Sequence, residues 1–206
     1  MTNDKQQMTN DQYFDKINYL MRSRRSTKPR LLNGKKIEDE IIWQILENAN
    51  WAPTHCLTQP WRFKVFTQAG LTKLANFQAD LYKKQTPEAK FSADKYERMK
   101  SNVLKASHVI VICMKRQENE ILPEIEEIEA VACSVQNMAL TAAAYGLCSF
   151  WGSGGVTYTD ELKEFLGLGE KDRCLGYLYL GYSDTPAQIS KRSPISEKVE
   201  WMDKAE

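Results

Sequence analysis

The chain has 206 residues, 42% of them hydrophobic, with 28 Lys and Arg against 27 Asp and Glu for a net charge of +1. That length suits one core, and the apolar content together with 10 Gly and 7 Pro excludes a disordered, collagen-like or low-complexity chain. The balanced charge offers no net positive field to a nucleic acid or an anionic membrane surface. The longest apolar run, Val109 to Met114, is far short of the roughly 20 residues a bilayer span needs.

In chain order, Met1 to Asn10 is polar, lacks the apolar stretch of a secretory leader, and reads as a disordered tail over residues 1–10. Asp11 to Arg22 carries Tyr13, Ile17 and Leu20 at helical spacing. A basic cluster, Arg22 to Lys28, follows and stops at Pro29, which disfavours helix at the residue before it. Glu38, Asp39 and Glu40 open a second helix where the macrodipole favours negative charge, and its apolar face is Ile41, Ile42, Ile45, Leu46 and Ala49. Ala52-Pro53 ends it. Trp61 to Thr67 alternates and predicts a half-buried strand. Leu71, Leu74, Phe77 and Leu81 mark one further helix and Tyr96, Met99 and Val103 another, with a break at Thr86-Pro87.

Ser107 to Met114 is β-branched and continuously apolar, the pattern of a central strand buried on both faces. From near Glu124 to Gly146, Ile128, Val131, Val135, Met138, Ala142 and Tyr145 recur at intervals of three and four. The other faces of this helix hold Ala132, Ala139, Leu140 and Ala143, which suits the middle of a domain or a subunit interface. Phe150-Trp151 leads into a loop, Gly152-Ser-Gly-Gly155, whose glycines let backbone approach a ligand. A short helix from Thr159 to Leu166 stops at Gly167, Cys174 to Tyr182 reads as another strand, and the remainder is polar. With helices outnumbering strands and no internal repeat, the pattern predicts an α+β fold in a single domain, 11–206.

Hydrolytic and metal chemistry find little support. There is no G-x-S-x-G elbow, and the adjacent His55 and Cys56 cannot readily face each other on an extended loop. His55 and His108 are the two histidines, too few for a metal site built mainly on imidazole. Five cysteines without a C-x-x-C spacing read as buried free thiols in a reducing cytoplasm. The Gly152–Gly155 loop lacks the features of a P-loop or a Rossmann fingerprint. The cluster from Arg22 to Lys28 admits two readings: cations favoured at a helix C-terminus, or a phosphate site built from guanidinium forks and a hydroxyl.

Four segments together resemble the FMN-dependent nitroreductase family. They are Arg24-Arg25-Ser26-Thr27-Lys28; Ala52-Pro53-Thr54-His55 with Gln59-Pro60-Trp61-Arg62-Phe63; the helix through Cys133-Ser-Val-Gln136-Asn137-Met138 with Trp151-Gly-Ser-Gly154; and Leu175 to Tyr182. The resemblance covers about residues 13 to 195. It implies a nitroreductase-like fold, with a central, mostly antiparallel sheet flanked by helices, in an intertwined homodimer. It implies FMN as cofactor, NADH or NADPH as co-substrate, and a nitroaromatic, quinone or similar small acceptor reduced in ping-pong fashion.

By the same resemblance, Arg24, Arg25, Ser26 and Lys28 would grip the FMN phosphate and the pyrimidine end of the ring. Trp51, Pro53, Thr54 and His55 would cover the ring from the partner subunit. Trp151, Gly152, Ser153, Gly154 and Gly155 would present backbone N–H groups, Lys191 and Arg192 would complete the phosphate contacts, and residues 183–206 would embrace the partner. The flavin carries the chemistry, so no catalytic side chain is expected. One departure is Leu57, where many members have an Asn that bonds the flavin; a leucine cannot replace that contact. His55 reads either as an exposed loop residue or as a cofactor-facing group, whereas His108 reads as a core histidine. Gln136 and Asn137 need partners, which are backbone carbonyls or the other subunit. Two other readings stay open: a flavin protein with another reaction or little turnover, and a cofactor-free interaction domain. The stretch from Ala69 to Lys105 is expected to cover the pocket.

Overall fold

The computed structural model describes residues 8–202, among which lie six α-helices and four strands. The helices are α1 (Asn10–Ser23), α2 (Asp39–Asn50), α3 (Ala69–Gln85), α4 (Ala93–Leu104), α5 (Glu124–Ala144) and α6 (Asp160–Leu166). The strands are β1 (Trp61–Thr67), β2 (His108–Met114), β3 (Cys148–Gly152) and β4 (Arg173–Gly181). They form one sheet in the order β1-β2-β4-β3, and every neighbouring pair is antiparallel. The α+β class follows, with helices on both faces of the sheet.

The apolar run of β2 explains the layering. Every residue of β2 is buried, and its side chains alternate between two cores. Ile110, Ile112 and Met114 meet Ile42 and Ile45 of α2 and Val131, Val135 and Met138 of α5. Val109, Val111 and Cys113 pack on the other side with Leu71 and Leu74 of α3, Val103 of α4 and Leu162 of α6. At about 1.5–3 kcal/mol for each large aliphatic side chain buried, this strand and its neighbours supply much of the driving force for folding. Trp61 anchors β1 as a buried residue whose Nε1 donates to Asn50 Oδ1 at 3.0 Å.

β3 was not visible as a strand in the sequence, where its residues read as the approach to a loop. It is a five-residue strand with no clear alternation, ordered by its neighbours rather than by its own pattern. On one side it pairs with β4; on the other, Thr27 N donates to Ser149 O at 2.9 Å and Ser26 bridges Ser149 in parallel. Against β2, the register of β4 slips between Ile112 and Cys113, leaving Leu175 as a bulge. Trp151 Nε1 donates to the freed Leu175 carbonyl at 3.0 Å. Gly176 sits at φ +123°, and a Cβ there would lie 2.5 Å from Gly152 O, so only glycine lets β3 end where it does.

Polar groups inside the α2–α5 layer are engaged. Glu127 is 1% exposed and pairs with Arg116, whose Nη2 donates to Leu122 O at 2.7 Å, while Gln117 N donates to Glu127 Oε1 at 3.3 Å. This pins the loop between β2 and α5. His108 is a core histidine, as expected. Its Nδ1 lies 2.9 Å from Ser107 Oγ, which accepts from Ile37 N at 2.7 Å, and its Nε2 lies 3.4 Å from Asp39 Oδ1. Burial holds its pKa below the ordinary histidine value despite Asp39.

Three expectations change. The tail expected over residues 1–10 lies mostly outside the described residues, but Thr9 forms a capping box with Gln12 and Asn10 begins α1. The five free cysteines are not uniformly buried: Cys113 and Cys174 are, Cys148 is half-buried, and Cys56 and Cys133 are exposed. Cys133 is exposed because it lies on the outer side of α5, whose other flank carries the core residues Ala130, Val131, Ser134 and Val135. Finally, α1 carries Tyr13, Phe14 and Ile17 at helical spacing yet contains no buried residue. No helix of the described residues is long and apolar enough to cross a membrane.

Candidate ligand-binding site

α1 ends at Ser23, where Arg24 turns to extended backbone, and Arg24 to Lys28 run along the edge of β3 through the Ser26–Ser149 bridge before Pro29 opens a short 3-10 turn. The guanidinium of Arg25 donates to the carbonyls of Arg22 and Arg24 and, through Nε, to Gln188 O at 3.1 Å. Arg25 therefore fixes the segment at the end of α1 and ties the C-terminal stretch to it. Arg24 and Arg25 border a groove of about 840 Å³ between α1 and the end of α5, with Ala187 on its rim.

Lys28 opens instead onto a second cavity of about 330 Å³, walled by α3, α4 and the ends of β3 and β4. Gly152, Gly154 and Gly155 line it too, so two motifs far apart in the chain meet there. Arg30, Lys95 and Arg98 join Lys28 on its walls, and no carboxylate does. Phe150, Met99 and Tyr179 give apolar surface, and burial pushes the Tyr179 phenol up to about 12. Gly155 needs its φ of +69°, and Gly154 has open space where a Cβ would stand, which leaves backbone accessible. Ala69 to Lys105, expected to cover the pocket, supplies its wall through α3 and α4.

Not every residue of the glycine loop faces this cavity. Trp151 and Ser153 line a neighbouring one of about 390 Å³ with Ile128, Ala132, Tyr158 and Leu175. With its indole N–H bound to Leu175 O, Trp151 anchors the loop at the bulge. Lys191 and Arg192 lie on the exposed C-terminal stretch, where Arg192 donates to Ser190 Oγ and to Lys191 O. That stretch meets the first group through the Arg25 contact to Gln188.

Trp51, Pro53, Thr54 and His55 form a separate group at the end of α2. Trp51 is 79% exposed, and its Nε1 donates to Glu47 Oε1 at 3.1 Å. His55 Nδ1 lies 2.6 Å from Glu126 Oε2 in the first turn of α5, which holds the imidazole outward. Thr54 Oγ1 accepts from Gln59 N at 3.2 Å. Rather than extended, the loop is a tight turn with Cys56, Leu57 and Gln59 at φ of 50°, 53° and 44°. Left-handed residues other than glycine are strained, and such clusters occur at ligand clamps. Leu57 projects into solvent, as does Trp51. Among the described residues, no hydrogen bond or ion pair joins this group to Arg24–Lys28 or to Gly152–Gly155. On α5, Asn137 Nδ2 donates to Asn48 O at 3.1 Å, the backbone alternative expected for it, while Gln136 is exposed.

Sequence reasoning missed the polar floor of the Lys28 cavity. Gln78 of α3, Asn102 of α4 and Tyr177 of β4 line it with buried polar groups, the Gln78 amide lying beside the hydroxyls of Tyr177 and Tyr179 and Thr157 beside that of Tyr177. Burial also drives the Tyr177 phenol far up in pKa. A signal was present: Gln78 falls four residues after Leu74, at a position where the α3 stripe calls for an apolar side chain.

Comparison with known proteins gives the family and the fold. The model of the "Nitroreductase family" matches residues 21–182. YfhC from Bacillus subtilis (strain 168), provisionally named an NAD(P)H nitroreductase, is 29% identical over 184 residues, covering 89% of this chain and 92% of that protein. YdjA from Escherichia coli (strain K12), named likewise, is 31% identical over 156 residues, 75% of this chain and 82% of that one. The crystal structure of a nitroreductase-like family protein from Bacillus cereus superposes with a TM-score of 0.80 at 28% identity, covering 99% of this chain and all of that one (100%). The FMN-dependent nitroreductase NfnB from Mycobacterium smegmatis, solved in complex with NADPH, shares the fold at a TM-score of 0.74 and 19% identity, over 92% of this chain and 99% of that one. With the family pattern spanning both the cationic segment and the glycine loop that it meets, the chain belongs to the nitroreductase family.

Proposed function

We propose that this protein is an FMN-dependent NAD(P)H oxidoreductase that reduces nitroaromatic, quinone or similar small acceptors, acting as a cytoplasmic homodimer of single 11–206 domains. The observation that carries the reading is the cavity where Lys28 meets Gly152, Gly154 and Gly155 among four cations and no carboxylate. That donor set fits FMN. A phosphate dianion and a ring whose reduced form is anionic both favour guanidinium and ammonium groups over acidic ones. When bound, the flavin would supply hydride transfer from the nicotinamide to the acceptor, the two substrates occupying one face in turn.

The chain's own residues do the binding and positioning. Arg24 and Ser26, with Lys191 and Arg192 from the C-terminal stretch, hold the phosphate; Arg25 keeps this segment in place through its carbonyl bonds. Lys28, with Arg98 across the cavity, sets a positive potential at the ring's electron-rich end, which favours the reduced state. The backbone of Gly152 to Gly155 approaches the ring, with Trp151 anchoring the loop and Ser153 on its far side. Trp51, Pro53, Thr54 and His55 close over the ring from a second copy of the chain. This is why they project outward here, with His55 held by Glu126. Support for the second copy comes from exposed apolar side chains on α1, Trp43, Trp51 and Trp201; the extension expected to embrace that copy begins at residue 183, and its residues 203–206 lie outside the described residues.

An absorbance spectrum of the purified protein and steady-state oxidation of NADH and of NADPH with a nitroaromatic acceptor test this. The expected result is bound oxidised flavin and turnover with ping-pong kinetics. Colourless protein that neither takes up added FMN nor oxidises either nucleotide ends the reading, and a monomer in solution removes the dimer.

A further inference from the structure

Cys113 of β2 and Cys174 of β4 face each other in the core. They are direct partners in the antiparallel register, belong to one apolar cluster, and are only 0% and 4% exposed. Opposed residues of antiparallel strands lie about 4.5–5.5 Å apart at Cα, within the range of about 4.4–6.8 Å that a disulfide spans. No other two cysteines are opposed in a ladder: Cys148 faces Gly181, and Cys56 and Cys133 lie outside the strands. Among the described residues no group of three His, Cys, Asp or Glu could hold a metal, so the pair is not part of a metal site. The two sulfurs differ. Contact with Cys113, helped by the Gly176 N–H against burial, holds the Cys174 thiol below the ordinary cysteine value; contact with Cys174 and burial push Cys113 up. After this pair the ladder has only Met114 and Arg173. Strand ends open locally more often than strand centres, which gives a water-sized oxidant a route to sulfurs that the closed fold covers.

We propose that Cys113 and Cys174 are a dithiol pair that hydrogen peroxide closes to a cross-strand disulfide, stapling β2 to β4 beside the bulge that anchors the glycine loop. The Cys174 thiolate attacks one peroxide oxygen, the O–O bond breaks, and the hydroxide that leaves takes up the thiol proton as water. The Cys113 sulfur then attacks the sulfenic acid formed on Cys174. The S–S bond forms, the S–O bond breaks, and the oxygen departs with the Cys113 proton as a second water. Two thiols thus lose two electrons and two protons, and one peroxide becomes two waters. A dithiol reductant reverses the bond. The closed loop contains α5, β3 and α6, so the bond restricts the unfolded chain over the segment that bears Trp151 and Gly152 to Gly155. Because Leu175, next to Cys174, holds the Trp151 indole, the staple also fixes the strand from which the loop is anchored. The chemistry is independent of any bound flavin.

The test treats the reduced full-length protein with hydrogen peroxide, alkylates the remaining thiols in denaturant, and maps all five cysteines by mass spectrometry. The expected result is a linked peptide pair joining Cys113 to Cys174, both thiols being lost together and recovered with dithiothreitol. Cys113→Ala should stop Cys174 at the sulfenic acid, trapped by dimedone on denaturation, whereas Cys174→Ala should leave Cys113 a free thiol. In Cys56→Ser/Cys133→Ser protein, which lacks the exposed thiols, the oxidised form should melt about 10 °C above the reduced form. Cys113 and Cys174 that both remain alkylatable once peroxide has fully oxidised Cys56 and Cys133 overturn the proposal. So does a bond from either of them to a third cysteine, and so does an oxidised form that melts no higher than the reduced one. The wild-type map requires no variant to fold and decides by itself whether the bond forms.

Discussion

On the α2–α5 side of the sheet, Glu127 is 1% exposed and fully engaged, by Arg116 and by the N–H of Gln117. On the α3–α4 side, Gln78 is 5% exposed and its amide nitrogen makes no well-formed hydrogen bond, only looser approaches to the Tyr177 and Tyr179 hydroxyls, although a neutral amide is far easier to satisfy than a carboxylate. The harder group is paired and the easier one is not. Packing difficulty therefore does not explain the vacancies. The fold completes its polar network where the network holds a loop and leaves it incomplete where a cavity opens. Buried polar atoms thus separate scaffold from site more sharply than burial does.

Substitutions on the two sides should differ in size and even in sign. The largest effect is expected for Glu127→Ala, which strands Arg116 in the interior. Loss of about 3–5 kcal/mol follows for a broken buried pair, measurable by urea denaturation. Gly176→Ala comes next. It forces a Cβ against Gly152 O and a φ of +123° on alanine, so about 1–3 kcal/mol is expected together with weaker flavin retention. Ser107→Ala leaves Ile37 N and His108 Nδ1 without their shared partner and should lose about 1–2 kcal/mol.

Acid should act through the same histidine. Its folded pKa lies below the ordinary value of about 6.5, so the unfolded chain takes up the proton first as pH falls. The His108 contribution is complete above about pH 6.5 and declines below it. Unfolding curves of wild type and His108→Gln should converge on acidification, and parallel curves between pH 7 and 5 would remove His108 as the cause. Smallest of all is Tyr177→Phe on the cavity side. Without flavin its stability should be unchanged or slightly raised, and a loss above about 1 kcal/mol would show that the hydroxyl already has a partner.

Much of the fold was legible because it rests on strong periodicity. The buried run of β2 and the stripe of α5 each announce their environment, and Pro29, Pro53 and Pro87 mark where helices end or begin. β3 was not legible because its order comes from β4 and from Thr27, partners distant in sequence. Arg24 and Lys28 stood out as charge in a motif, yet nothing in their spacing indicated that they face different cavities. Gln78 and Asn102 look like ordinary helix residues until α3 and α4 are brought together. The outward Cys56 and Cys133 show the limit of inferring burial from apolar neighbours, since composition does not say which face of a helix or turn a side chain takes.

α1 delivers the cationic segment to the edge of β3, yet none of its fourteen residues is buried. A helix that short is marginal by itself in water. Within the chain it is held by its capping box and by half-buried Leu20, and if another copy of the chain covers Tyr13, Phe14 and Ile17, protein concentration becomes a control on the site. Dilution would then loosen the anion grip before it unfolded the sheet, so affinity for the cofactor and the state of assembly would rise and fall together.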